Sequence, residues 1–371
     1  MTMLRIALAL SLVLLMHLEP SAAKAEDRLW KEIAVLETSG WLPGSVAHSS
    51  DGKMMVVGGT YGKVIAVDTA TRDMVWKADV GGDFAGVAFT ADGKAIVATF
   101  NDGVRFVDVA TGDLGNTIEE PDSRPVAVGV FPDQNVGPGD EKFIQHKIIF
   151  GSARESFVKM WIVPEQVGTI KFNIIAKDKN PADPNAVPLA VDPAGRSMIM
   201  TGPIDGNTGK NVLWAWVAGN YEEGSPGNRL LAGHPAMVVS AAWSQDGKTA
   251  VTGDSKGTVI RWDATTMKET QRFELGNRVA ALAVSSRGES IAAFVIGKQA
   301  EVYVWEAARP KDAMQPIYVD RSDFSGPVQA CLAFSHDGRQ LAGSAFNKVW
   351  LSRLGEPVGK LHVWEIETPK R

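Results

Sequence analysis

An all-β fold, a closed ring of seven four-stranded antiparallel sheets, is what this sequence predicts, and three features predict it. A unit of about 40 residues recurs along the chain. Glycine-bearing turns mark one end of most units, and a third strand closes on tryptophan, an acid or both in every unit. The clearest unit covers residues 231–263. It holds an alternating stretch, an Asp246-Gly247 turn, a second stretch, a turn with Gly257, and a third stretch ending in Trp262-Asp263. Period-2 alternation builds a strand with one buried face, and an Asp-Gly pair supplies the positive φ of a tight hairpin.

The other units follow in order. Turn positions stand at Gly52, Gly93, Asp133, Gly195, Gly247, Gly288 and Gly338, at intervals of 41, 40, 62, 52, 41 and 50 residues. The weakest is Pro132-Asp133-Gln134, where an insertion follows. Third strands end at Val67-Asp68, Val107-Asp108, Trp161-Ile162, Trp216-Val217, Trp262-Asp263, Trp305-Glu306 and Trp364-Glu365. Seven such units, each completed by a fourth strand, are the blades of a β-propeller. The first strands, such as residues 239–243, 279–284 and 328–334, are rich in Ala and Ser, sizes that suit strands converging on an axis. Cys331 lies in one of them and reads as a buried small apolar side chain.

Gly233-His234 and Trp262-Asp263 are the name-giving dipeptides of the WD-repeat family, which the chain resembles over nearly all of residues 26–371. In that family an N-terminal strand completes the last blade. The seventh unit here has three strands of its own, and residues 30–36 have strand character without a unit. The resemblance therefore implies that residues 30–36 pair with 361–366, which would leave no open edge. It also implies structural roles for His234, Thr252, Trp262 and Asp263. The first three belong to a buried hydrogen-bonded chain that ends on an aspartate, and Lys256 stands where that aspartate is expected.

Composition sets the outer bounds. With 371 residues, 45% hydrophobic, 22% charged and 37 glycines, the chain is globular, and disorder and collagen are excluded. Arg5 precedes an apolar run over residues 6–18, and Ala23-Lys24-Ala25 has the form of a signal-peptidase site. Residues 1–25 are read as an export signal cleaved after Ala25, with a retained membrane anchor as the alternative, and 26–371 as one domain, periplasmic or extracellular. The run is shorter than the roughly 20 residues a membrane-spanning helix needs. Without the signal there are 36 basic and 42 acidic side chains, a charge of −6. No Lys/Arg cluster is present, so nucleic acid is not a partner. A lone cysteine leaves stability to an apolar core.

No constellation for chemistry stands out. Gly253-Asp-Ser-Lys-Gly257 has the G-x-S-x-G pattern, but that motif works at a strand-to-helix turn and here it joins two strands. Nothing has the spacing of a zinc, haem or EF-hand site, so no catalytic residue, metal or cofactor is assigned. Residues 66–76 resemble the A-x-D-x-x-T-G-K-x-x-W motif of pyrroloquinoline-quinone propellers, with Arg72-Asp73 replacing Gly-Lys, and Asp108 to Gly112 is a second partial copy. That resemblance implies the alternative reading, a propeller enzyme of quinone-dependent oxidoreductase or lactonase-like hydrolase type. The plainer reading is a turn between third and fourth strands.

The main reading is an exported, non-catalytic platform for a protein or peptide, monomeric or part of a larger complex. In propellers the links between blades and the turns between second and third strands share one face. On that face Trp41, Tyr61, Phe84, Arg124, Arg154, Arg278 and Phe324 are the candidate partner-binding rim, since aromatic and Arg side chains carry interface energy. Insertions at 177–186, 203–210 and 351–360 are expected beside it. A flexible loop at 135–146 is expected on the opposite face.

Overall fold

The structure, a computed structural model, describes residues 30–90, 92–119, 125–136, 143–152, 158–163, 170–172, 189–192, 197–202, 212–217, 228–308, 316–321, 324, 328–347 and 357–367. The proposed signal, Gly195, Arg124, Arg154 and the insertions at 177–186 and 203–210 lie outside the described residues, as does most of 351–360.

Among the described residues the strands form seven four-stranded sheets. Blade I comprises Pro43–His48, Met54–Gly59, Lys63–Asp68 and Met74–Asp79. Blade II comprises Val87–Phe89, Ala95–Phe100, Gly103–Asp108 and Leu114–Glu119. Blade III has Pro125–Val136, Phe143–Ser152, Val158–Val163 and Ile170–Phe172; blade IV has Leu189–Val191, Ser197–Gly202, Val212–Val217 and Asn228–Leu230. Blade V is Val238–Trp243, Thr249–Asp254, Thr258–Asp263 and Lys268–Glu274. Blade VI is Arg278–Val284, Ser290–Ile296, Ala300–Glu306 and Pro316–Asp320. Blade VII joins Val328–Phe334, Gln340–Asn347 and Val358–Ile366 to the first strand of the chain, Trp30–Ser39. First strands of successive blades pack side by side, and that of blade VII packs on that of blade I, so the ring closes.

The closing strand behaves as the sequence implies and goes further. Trp30 pairs with Ile366 and Leu36 with Leu361, and the antiparallel ladder continues to Ser39 opposite Val358, with a bulge between Glu32 and Ala34. Side chains fasten the same seam. His362 Nδ1 meets Glu32 Oε1, and His362 Nε2 lies 3.2 Å from the hydroxyl of Tyr318, on the outer strand of blade VI. At Gly359 a Cβ would fall 2.4 Å from the Pro43 ring and 2.5 Å from Thr38 Oγ1, so the strands approach this closely only because the side chain is missing.

The turns between first and second strands repeat one wiring. A hydroxyl donates to the aspartate two residues on: Ser49 to Asp51 at 2.7 Å, Thr90 to Asp92 at 2.7 Å, Ser244 to Asp246 at 2.6 Å and Ser335 to Asp337 at 2.6 Å. The same oxygen accepts the backbone N–H of Lys53, Lys94, Lys248 and Arg339, each at 3.0 Å. The glycine between them has φ of 72°, 70°, 67° and 69° in the four turns. These turns define the lower face of the ring, and the blade-to-blade links define the upper face.

Blade III departs from expectation. Pro132-Asp133-Gln134 is not a turn: its first two strands keep pairing through Gln134 with Gln145 to Val136 with Phe143, and the register shifts between Phe131 and Gln134. Pro132 has no N–H for a ladder, so a bulge absorbs it. The ends of the 135–146 insertion are therefore strand, a hairpin extension where a loop was expected.

Burial occurs between blades. Val56, Val64 and Trp76 of blade I pack with Ile96 and Val107 of blade II. Phe294 and Val302 of blade VI pack with Leu341 and Trp364 of blade VII. Serines of the inner strands tie blades together as well: Ser45 Oγ accepts from Val87 N at 3.0 Å, and Ser240 Oγ donates to Val279 O at 2.7 Å. Small polar residues near the axis thus bond as well as fit. Cys331 is buried, and burial pushes its thiol up to about 12.

The D-x-x-T segments are turns. Asp68 Oδ1 accepts from Ala70 N at 2.9 Å and Thr71 N at 2.8 Å, and Asp108 Oδ1 accepts from Ala110 N and Thr111 N at 2.9 Å each. The next residue is left-handed: Arg72 at φ 66° and Gly112 at 78°. Arg72→Gly removes a steric penalty and should stabilise the protein by about 0.5–1 kcal/mol. A denaturant midpoint unchanged or lowered in that variant counts against the assignment.

Candidate interaction surface

The upper face between blades I and II is the best-defined part of the rim. Tyr61 sits in the turn between the second and third strands of blade I, at φ 60°, with 46% of its surface exposed. A non-glycine residue is seldom left-handed, so the tight Tyr61-Gly62 turn holds an aromatic ring outward at a local cost. Backbone bonds fix it. Tyr61 N donates to Asp83 O at 2.8 Å, Thr60 bridges to Phe84, and Asp83 N donates to Asn101 Oδ1 at 2.7 Å. Phe84 is half-buried, its ring lying where a Cβ on Gly44 would come within 2.7 Å.

The remaining rim candidates separate by burial. Trp41 is 7% exposed and Phe324 6%, both within apolar clusters, so they shape the rim from beneath. Arg278 is half-buried and opens the first strand of blade VI. Sequence reasoning missed Arg105, whose guanidinium lies 5.2 Å from the Phe100 ring centroid and donates to Val80 O at 3.3 Å. Exposed Asp83, Asp102 and Glu119 give this part of the rim an acidic cast, and Lys63 is held by Asp79 at 2.5 Å.

Blade V contains a complete buried hydrogen-bond chain. Trp262 Nε1 donates to Thr252 Oγ1 at 2.8 Å, Thr252 Oγ1 lies 2.7 Å from His234 Nε2, and His234 Nδ1 lies 3.2 Å from Asp254 Oδ2. The ionised Asp254 carboxylate can only accept, which fixes the direction: neutral His234 carries its proton on Nδ1 and donates it to Asp254, and its Nε2 accepts from Thr252. The terminal acid is Asp254, two residues before the Lys256 that occupies the family's aspartate position, so the chain is complete where the resemblance implied a missing acid. Asp254 ends the second strand, and its other oxygen accepts Lys256 N and Thr258 N at 2.9 Å each, capping the following turn. Burial alone would raise the Asp254 pKa, but those N–H groups and His234 hold it below the usual carboxylate range. Burial keeps His234 neutral against the pull of Asp254. Asp263 caps the next turn, accepting Thr266 N and Oγ1 at 2.8 Å.

Acid should therefore loosen the ring. His48, at the lower face, has its pKa drawn down by burial to about 4, with nearby Asp337 opposing the shift. Both histidines titrate lower in the folded chain than the unfolded value of 6.5. Above that value neither state takes up a proton; as pH falls below it the unfolded chain protonates first, and stability drops until the folded His48 titrates. His48 alone should contribute a loss of about 3 kcal/mol between pH 7 and pH 4. Urea unfolding at both pH values should reveal it, and His48→Gln should flatten the profile; an equal drop in that variant contradicts the assignment.

Comparison with known proteins adds to this geometry. A family model described as "WD domain, G-beta repeat" matches residues 227–263, the unit that carries the buried chain. Another, described as "Outer membrane protein assembly factor BamB", matches residues 21–144 and so covers both D-x-x-T turns. A BLOC-2 complex member HPS5 homolog of Aedes aegypti is 33% identical over 106 residues, 29% of this chain and 12% of that protein. Guanine nucleotide-binding protein beta subunits of Nicotiana tabacum and Solanum tuberosum are 28% and 27% identical over 104 residues, covering 28% of this chain and 28% of each subunit. The chain thus matches 12% to 28% of the length of these curated relatives.

Proposed function

We propose that this chain, a β-propeller of the WD-repeat family, is an exported platform that binds a protein or peptide and has no catalytic activity of its own. The observation that carries the reading is the fixed, outward aromatic at Tyr61 on a closed rigid ring. A stiff scaffold displays such a ring with little ordering cost on binding, and the acidic groups beside it favour a partner segment bearing Lys or Arg. Two of the similar proteins are named as a complex member and a subunit, which supports a role within an assembly. The residues best suited to chemistry already have structural tasks: His234 and Asp254 bond to one another, and Asp68 and Asp108 cap turns. Export rests on the signal-like residues 1–25 and on the match to a family described as an outer membrane protein assembly factor.

The test is affinity capture of the wild-type protein from the envelope and exported fractions of its source cells, with Tyr61→Ala as control. A partner recovered reproducibly by the wild type and lost from Tyr61→Ala supports the reading. Turnover of a small substrate without any recovered partner overturns it in favour of the enzymatic alternative.

A further inference from the structure

At the lower face, between the ends of the first strands of blades I, V, VI and VII, lies a cavity of about 220 Å³. Leu282, Leu332 and Phe334 form apolar walls, Gln245 and His336 are polar lining residues, and the His48 ring lies against the cavity. None of its described lining residues is Asp, Glu, Lys or Arg. Both ring nitrogens of His48 are shut off from solvent and have no hydrogen-bond partner among the described residues. We propose that this cavity binds a small neutral polyol of monosaccharide size, with a turn of the His48 ring bringing one nitrogen onto a ligand hydroxyl.

Three features select this chemistry. No described lining residue is charged, and Asp337, the carboxylate near His48, already accepts Ser335 Oγ and Arg339 N, so an ion entering the cavity would lose water without a dedicated counter-charge. Neutral imidazole offers one N–H and one lone pair, and a hydroxyl can answer either with a single atom. Apolar walls beside a few convergent polar groups suit the C–H face of a sugar ring. The volume falls below the roughly 300 Å³ at which drug-sized pockets begin, so one six-carbon ring is the scale. The depressed pKa of His48 keeps it neutral at neutral pH, as this recognition needs. The site lies on the opposite face from Tyr61, so it can hold or fail independently of the partner-binding reading.

The experiment follows the imidazole nitrogen resonances of the ¹⁵N-histidine-labelled full protein during titration with glucose, galactose and myo-inositol. Acetamide, methylammonium chloride and sodium acetate are the comparison probes. A saturable shift of the His48 signals by one of the three polyols at millimolar concentration is expected. Followed in the variants through the signals of His336, which also lines the cavity, the affinity should weaken about tenfold in His48→Phe and in Ala333→Val, which narrows the cavity from another strand. Circular dichroism establishes that each variant is folded, and if His48→Phe does not fold, Ala333→Val decides. No saturation by any of the three polyols, tighter saturation by the amide, the amine or the carboxylate, or unchanged binding in the folded variants overturns the proposal.

Discussion

Removing residues 30–39 should abolish the cooperative unfolding transition of the ring. That strand supplies the fourth member of blade VII, and without it Val358–Ile366 becomes an open edge. Each lost ladder bond removes about 1 kcal/mol, and each withdrawn apolar side chain such as Ile33, Leu36 or Ala34 removes about 1–2 kcal/mol. The sum is comparable to the entire net stability of a domain, about 5–15 kcal/mol. The clasp of His362 with Glu32 and Tyr318 is lost as well. Gly359→Val offers a gentler version, because its side chain would collide with Pro43 and Thr38 while the strand remains in the chain. Calorimetry should return no sharp transition for the deletion and a lowered one for Gly359→Val. A soluble deletion protein that melts like the parent would disprove the closure.

Asp254→Ala should cost about 3–5 kcal/mol, because each hydrogen bond to a carboxylate contributes about 1.5–3 kcal/mol and water can replace only part of that loss. It strands three donors at once: the His234 ring N–H and the backbone N–H groups of Lys256 and Thr258. Asp254→Asn keeps the shape and should cost less, since its amide oxygen can still accept. Lys256→Ala is the decisive control. Its side chain is exposed, so the change should stay within about 0.5 kcal/mol of wild type. Denaturant midpoints in which Lys256→Ala is as harmful as Asp254→Ala would return the terminal position to residue 256.

Much of the architecture was legible because strands announce themselves by period and turns by Asp-Gly. The closing strand could be inferred because residues 30–36 had strand character and no unit, while the last unit lacked a strand. Asp254 was hidden for a physical reason. It belongs to the last position of a strand and to the following turn together, and the surrounding Gly-Asp-Ser-Lys-Gly reads equally well as either. Blade III was misjudged because Pro132 and the nearby glycines look like a loop, whereas a register shift at Pro132 lets the strands stay paired as far as Val136 with Phe143. The rim was only half legible: Trp41 and Phe324 lie in links between strands, where no periodicity reports whether a side chain points inward or outward. Arg105 was overlooked because its partners, the Phe100 ring and Val80 O, come together only through the hairpin and the neighbouring blade.

The seam between the two ends of the chain also dictates an order of events. Glu32 and His362 meet across 330 residues of sequence. The N-terminal strand therefore has no native partner until the last blade exists, and every earlier blade can assemble first. Pairings at such separation form slowly and late, because loop closure must precede any gain from contact. Until that moment the growing chain keeps an unpaired strand at each end, which is when edge-to-edge association with another copy competes with folding.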